Sequence, residues 1–383
     1  MSGGATALIA RLEKELRDLW TEPKGAGAAP MSRVCTMNLE VVAGSRELLE
    51  RYMPVVDEVT ASLPSRVILA SIEPDAPGDE IAGSATAVCS LEAGKNICSE
   101  RITLAAKGNA SVRAASAMEA FLVPEIPTAL VWLGRVHVDD PVFEDLASDA
   151  QRIVLDSEYT SFASVLHVAA WARKRAEAPE IADLAWTRLA PWQEMLARFF
   201  DPNETRGLAD KITKLTLQQA AGPEGRLGPE LALLLGWIAT RLGWKASRLG
   251  GKTRFKRADG ESVVVELGTV GCPQGVAPLT LAALTVDARD DTCTMHGSID
   301  RELGTGLASG QEHTTADADV MVWKQVVTAS VPAASFRLEQ RVRLGANKAA
   351  KWLERTLHRP KRDAAFDESI AFAEQIAEDG LMV

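Results

Sequence analysis

The sequence predicts an α/β protein with two mixed-sheet domains, each with helices packed on it, joined by a Trp-rich helical segment and flanked by terminal helices. Three observations carry this reading. Hydrophobic residues make up 46% and charged residues 25% of the 383, the balance of an ordinary globular chain long enough for two or three cores. Apolar runs such as "SRVILASIE" and "TALVWLG" alternate with stretches of helical periodicity, the pattern of a sheet covered by helices. Aromatic residues, 5% of the chain, collect in "DLAWTRLAPWQEMLARFFD" at 183–201, between two such alternating regions.

Residues 1–30 read as a helix and a linker. Leu8, Leu12, Leu16 and Leu19 fall at helical spacing, and "EPKGAGAAP" follows with nothing to pack. Such a helix either docks on its own domain or finds a partner. Residues 31–178 read as the N-terminal α/β domain. "RVCTMNLEVV" is a strand, Ser45 caps a helix in "SRELLERYMPVVDEVTASL", and "SRVILASIE" is a second strand. "GSATAVCSLEAGKNICSERITLAA" is a hairpin turning at "EAGK". After it come a helix over 109–122, the strand "TALVWLG", a short helix at 142–149, the strand "RIVLDS" and a helix over 160–177.

Residues 179–204 form the Trp-rich connector, where Pro191 suits a helix's first turn. Residues 205–335 read as the C-terminal α/β domain. A strand near 210–219 and a helix at 229–243 precede the hairpin "RFKRADGESVVVEL", which turns on Asp259-Gly260. The strands "LTLAALTVD", "TCTMHGSID" and "VMVWKQVV" complete it. Residues 336–383 are expected to be charged helices, with nine Lys or Arg over 337–362 and an acidic stretch over 363–383.

A net charge of −10 argues against nucleic-acid binding, and no apolar run reaches membrane-spanning length. The charged N-terminal helix is unlike a signal peptide, so the cytoplasm is the expected compartment. No catalytic set and no metal or cofactor site is predicted. "RLGGKTRF" has Ala246 where a phosphate loop needs glycine, and the third glycine of "GTGLASG" falls at 310 rather than 309. The five histidines are scattered, and no nucleophile elbow occurs.

Two arginine-bearing features suit an anion. Ser65-Arg66 sits at a helix-to-strand junction, and Lys252, Arg254, Lys256 and Arg257 line a basic hairpin; the alternative for each is internal pairing. Ser99-Glu100-Arg101 reads as an internal ion pair. With "EAGK" as the turn, Cys89 lies opposite Cys98 across the hairpin, either as a redox-sensitive pair or as two small packed side chains.

Several ordered blocks carry a resemblance: "RVCTMNLEVV", "LPSRVI", "ICSERITL", "PEIPTALVW", "DLAWTRLAPWQEMLARFFD" and "LLLGWIATRLGW". On these, over residues 31–245, the chain resembles the OpcA family, the glucose-6-phosphate dehydrogenase assembly proteins of cyanobacteria and actinobacteria. The resemblance implies a non-catalytic partner of that dehydrogenase which favours its active oligomer and supports the oxidative pentose phosphate pathway. Tryptophan and arginine dominate interface energies, so Asp183, Trp186, Arg188, Pro191 and Trp192 are candidates for the partner surface or for a domain-joining core. Trp237 and Trp244 have core spacing. The rival reading is an enzyme or sensor that clamps a sugar-phosphate ligand with Arg66 and the basic hairpin.

Overall fold

The run Met37–Ala43 is buried at every position, as expected for a strand covered on both faces. In the computed structural model, which describes residues 3–21, 31–33, 35–92, 95–223, 226–249, 252–272, 277–302, 320–343, 349–359 and 362–378, this strand lies inside a mixed sheet. The chain divides into two units. Unit 1 is Met1–Leu184 with Ala349–Arg362, and unit 2 is Ala185–Lys348 with Asp363–Val383.

Unit 1 begins with α1 (Gly3–Thr21), β1 (Met31–Arg33), β2 (Met37–Ala43), α2 (Arg46–Ser62) and β3 (Ser65–Glu73). The hairpin β4 (Ile81–Glu92) and β5 (Lys95–Lys107) leads through a 3-10 turn to α3 (Ala114–Glu119). Then come β6 (Thr128–Leu133), α4 (Pro141–Asp149), β7 (Arg152–Leu155), α5 (Phe162–Arg173) and β8 (Glu180–Asp183). The sheet order is β1-β5-β3-β2-β6-β7-β8, all parallel, with β4 antiparallel to β5. Omitting the short β1 and the hairpin strand β4, the order by position in the chain is 3-2-1-4-5-6, that of a doubly wound dinucleotide-type sheet.

Ser45 caps α2, its Oγ accepting from Leu48 N. Alternation along β2 sends Leu39, Val41 and Ala43 into one core with Tyr52, Val56 and Val59 of α2. The helix α1 buries Leu8, Leu12 and Leu16 and packs against β4. A Cβ on Gly83 of β4 would sit 2.7 Å from the Thr103 carbonyl oxygen and 3.2 Å from Leu12, so glycine admits the helix. Arg11 donates to the Gly83 carbonyl at 2.8 Å. Of the two fates open to this amphipathic helix, docking on its own domain is the one observed. The linker at 22–30 lies outside the described residues.

Unit 2 takes up the chain within α6 (Leu184–Arg188), followed by α7 (Ala190–Arg198), β9 (Ile212–Ala220) and α8 (Pro229–Arg241). Seven more strands follow: β10 (Lys245–Leu249), β11 (Lys252–Lys256), β12 (Ser262–Val270), β13 (Leu281–Arg289), β14 (Cys293–Glu302), β15 (Val320–Ala329) and β16 (Phe336–Arg343). They form one sheet of eight in the order β10-β11-β12-β9-β13-β14-β15-β16, antiparallel except for the β12–β9 pair. After β16 the chain contributes α9 (Ala349–Leu357) to unit 1, and α10 (Ala364–Glu378) completes unit 2. Helix α8 carries Gly236 where it meets α10; a Cβ there would lie 2.4 Å from the Ser369 carbonyl oxygen.

Two expectations are corrected. The stretch 336–343, expected to be helical, is a strand. Phe336, Leu338 and Val342 alternate with Arg337, Glu339 and Arg341, and β15 supplies a partner along the whole run. The C-terminal helices also do not form a separate region. Ala350 and Leu353 of α9 enter the α2 core of unit 1. There Arg152 donates to the carbonyls of Thr356 at 2.6 Å and Leu357 at 3.0 Å, satisfying the free end of α9, while Glu180 pairs with the same guanidinium.

Candidate functional site: the tryptophan-rich segment and the strand-end crevice

Aromatic and charged positions in 183–201 follow no single period because each meets a different element. Asp183 ends β8 and is buried; its Oδ1 accepts from the Ser157 N–H and hydroxyl, both at 3.1 Å, which fixes the turn after β7. Trp186 is 5% exposed and donates from Nε1 to Asp363 Oδ2 at 2.8 Å, with its ring 5.8 Å from Phe366. The other oxygen of Asp363 accepts from Ala365 N and Phe366 N, so Trp186 braces the residue that caps α10.

Arg188 donates from Nε to Glu230 Oε1 at 2.9 Å, with side chains 11% and 10% exposed. The second oxygen of Glu230 accepts from the Leu281 N–H at 3.1 Å, which ties α6, α8 and β13 together. Pro191 opens α7, half-buried, and Trp192 is 3% exposed. Further on, Phe199 stacks on Trp323 with ring centroids 4.8 Å apart, seated over Gly297, where a Cβ would fall 2.7 Å from the ring. Trp323 donates to the Met195 carbonyl at 2.9 Å.

The two readings of this segment are thereby separated. Trp186 and Trp192 are core of unit 2, and Arg188 is spent on a buried carboxylate. None of them is a free anchor on the folded surface. Trp244 is buried and Trp237 half-buried, in keeping with their core spacing.

The anion candidates divide. Ser65 is buried and donates to the Leu63 carbonyl. Arg66 donates to the Phe121 carbonyl at 3.0 Å and pairs with Glu100, which also accepts from Trp20 Nε1 at 2.7 Å; Arg101 pairs with Asp57. Both arginines therefore serve internal pairs. On β11, Arg254 and Lys256 are exposed, whereas Arg257 folds back on Asp259 at 3.0 Å and on the Ile212 carbonyl at 3.3 Å. The side chain of Lys252 lies outside those described. Arg66 belongs to unit 1 and the hairpin to unit 2. Cys89 and Cys98 face each other in register and are joined by a disulfide, with Cα atoms 4.0 Å apart.

Sequence reasoning missed the crevice that the strand order creates. In this fold a nucleotide's diphosphate lies over the turn between the first strand and helix, which needs glycines for close approach, and an acid ending the second strand takes the ribose. Here that turn is Gly44-Ser45-Arg46-Glu47-Leu48-Leu49. Arginine stands at the second glycine position, and Leu49, at the third, is buried in the α2 core. The acid, Glu73, ends β3 but accepts from the Arg46 N–H at 3.1 Å. A carboxylate of the chain thus sits where the nucleotide's phosphate would, and the residues present do not fit a dinucleotide. Testing the Gly44 turn for the fingerprint and looking for an acid at the end of the next strand would have exposed this from sequence.

An open cleft of about 420 Å³ in unit 1 is lined by Val136, His137, Val138, Asp139, Asp140 and His167. Asp140 is committed to capping α4, accepting from Val142 N at 3.0 Å. Among the described residues no group of three or more His, Cys, Asp or Glu side chains is placed to hold a metal ion, and no helix is long and apolar enough to cross a membrane.

Curated relatives are the OxPP cycle proteins OpcA of Synechocystis sp., 27% identical over 325 residues and 83% of this chain, and of Synechococcus elongatus, 28% identical over 270 residues and 64% of this chain. The chain spans less than two thirds of either relative, 64% and 58% of their lengths. Among solved structures, an oxidoreductase from Sinorhizobium meliloti is 12% identical with a TM-score of 0.44 over 90% of this chain and 96% of its own, a likeness too loose to transfer an activity. The family model described as "Glucose-6-phosphate dehydrogenase subunit N-terminal domain" matches residues 56–170, and that of the "C-terminal domain" matches 179–370. With both models in order along most of its length, the chain belongs to the OpcA family of glucose-6-phosphate dehydrogenase assembly proteins.

Proposed function

We propose that this chain is a non-catalytic assembly factor that binds glucose-6-phosphate dehydrogenase, favours its active oligomeric form and so supports the oxidative pentose phosphate pathway in the cytoplasm. The observation that carries the proposal is the ordered match of both subunit-type domain models from residue 56 to residue 370. The geometry of unit 1 supports it. Its sheet has the order of a dinucleotide fold, yet Glu73 holds the α2 N-terminus and Leu49 fills the space a third glycine would leave. A fold whose phosphate cradle is filled by its own side chains is suited to a scaffold.

The physical requirement on such a factor is differential affinity. It must bind the active form of the dehydrogenase more tightly than the inactive one, and about 1.4 kcal/mol of difference shifts the ratio of forms tenfold. The kinetic test is direct. Adding the pure chain to the glucose-6-phosphate dehydrogenase encoded in the same genome should raise kcat/KM for glucose 6-phosphate, while the chain alone turns over nothing. Turnover of a sugar phosphate by the chain alone, sensitive to substitution of Arg254 and Lys256, would instead favour the phosphate-clamp reading.

A further inference from the structure

Burial alternates along the strands of unit 2. In β14, Cys293, Met295, Gly297 and Ile299 are buried, while Thr294, His296 and Asp300 are exposed. The buried set lies on the face where Phe199 covers Gly297 and Trp323 bonds the Met195 carbonyl of α7. The opposite, open face takes the other residue of each alternation, so the register assigns its charges strand by strand. Three of its carboxylates are matched in the plane: Glu266 with Lys214 at 2.9 Å, Asp287 with His296 at 2.7 Å, and Glu302 with Arg341 at 2.8 Å. What remains is lopsided. Among the described residues, Lys245, Arg254, Lys256, Arg289, Lys324 and Arg337 lie on this face without an ion pair, against only Asp300 and Glu339. With His296 neutral, the face holds eight cations to five carboxylates, in a chain of net charge −10.

The imbalance is greatest at the β10–β11 end. Neither strand contains an acidic residue. Phe255 faces the helices, stacking on Phe372 of α10, which turns its neighbours Arg254 and Lys256 to the open side. Lys256 stands directly opposite Lys245, a like-charge pairing that destabilises a sheet. All three cations are exposed, and Val264 on the next strand is 53% exposed. Lysines on an edge strand can serve only to ward off strand pairing, yet Arg289 and Lys324 lie on the interior strands β13 and β15.

We infer that this cationic face docks a net-acidic surface of the dehydrogenase, with the β10–β11 hairpin at its centre of charge. The inference rests on the proposed role with that enzyme and names the surface through which it acts. Charge decides among the occupants. A second copy presenting the same face would set cation against cation. A second copy presenting an acidic region elsewhere would make a head-to-tail contact, which stops growing only if it closes a ring. Nucleic acid and anionic lipid are uniformly negative and meet repulsion from the five interspersed carboxylates. A folded protein can place a cation opposite each of them. A cationic face on an acidic chain also orients the approach of an acidic partner.

The test is the affinity and association rate of the full chain for the dehydrogenase from the same genome, measured by biolayer interferometry at low and at physiological salt. Association should slow as salt rises. Lys256→Glu should weaken binding at least about tenfold, because it sets like charges across the interface. The same variant turns the Lys245–Lys256 repulsion into an attraction, so its urea midpoint should hold or rise and misfolding would not account for the loss. Arg254→Glu should act in the same direction. Lys174→Glu, an equal charge change at an exposed site of unit 1, should bind as the wild type does. A complex that forms but is indifferent to Lys256→Glu and Arg254→Glu overturns this inference and leaves the proposed role standing, as does equal weakening by Lys174→Glu. Absence of any complex at either salt overturns both. Binding to vesicles of phosphatidylserine and phosphatidylcholine, with none to the dehydrogenase, also overturns both and assigns the face to a membrane.

Discussion

Replacing Arg188 with methionine separates a structural role for the Trp-rich segment from a role in partner binding. Arg188→Met keeps the apolar stem but leaves Glu230, 10% exposed, without its guanidinium. Breaking a buried ion pair by removing one partner costs about 3–5 kcal/mol. Glu230 still accepts from the Leu281 N–H, so the lower end, about 3 kcal/mol, is the expected loss. With a urea m-value of about 2 kcal/mol/M, the unfolding midpoint of unit 2 should fall by about 1.5 M. The assay is equilibrium urea unfolding followed by tryptophan fluorescence, with the two units fitted as separate transitions. Arg188→Met/Glu230→Gln should recover most of the loss, because a neutral amide at 230 can still accept from Leu281 and leaves no buried charge. A single variant within about 0.5 kcal/mol of wild type, or a double variant as unstable as the single, would mean that the Arg188–Glu230 pair does not hold unit 2 together.

Glu40, buried on β2, supplies a pH signature. Burial, aided by Asp149 and Glu119, pushes its carboxyl up to about 8. The folded state then holds a proton that the unfolded state releases, so stability should fall as pH rises from about 5 to 8 and level off above that. Glu40→Gln should abolish the slope attributable to this site in urea titrations across that range, and an unchanged slope would exclude Glu40 as its source. The Cys89–Cys98 pair is proposed as redox-sensitive. Protein purified without reductant should alkylate only at Cys35, Cys272 and Cys293, and reduction should destabilise unit 1 by about 1–3 kcal/mol; five alkylated cysteines would sink the idea.

What the sequence revealed was local. The Ser45 cap, the Leu8-Leu12-Leu16 face of α1 and the Cys89–Cys98 register depend on residues a few positions apart, and all were readable from spacing. The strand order of unit 1 was not, because parallel pairing joins β2 to β6 across 90 residues with no turn between them to mark it. Trp186 and Trp192 were ambiguous for a related reason. The direction of Trp186 is set by Asp363 and Phe366, far downstream, which no local pattern announces. At 336–343 the basic composition masked a two-residue alternation, and only the partner strand β15 decided between helix and strand.

As an assembly factor, this chain should alter the assembly state of glucose-6-phosphate dehydrogenase. Mass photometry of the dehydrogenase from the same genome, with and without equimolar chain, tests it most directly. The expected result is a new, heavier species containing both proteins, formed at the expense of the smaller dehydrogenase species and coinciding with the gain in kcat/KM. An unchanged dehydrogenase mass distribution, with the added chain appearing only at its own mass, would contradict it.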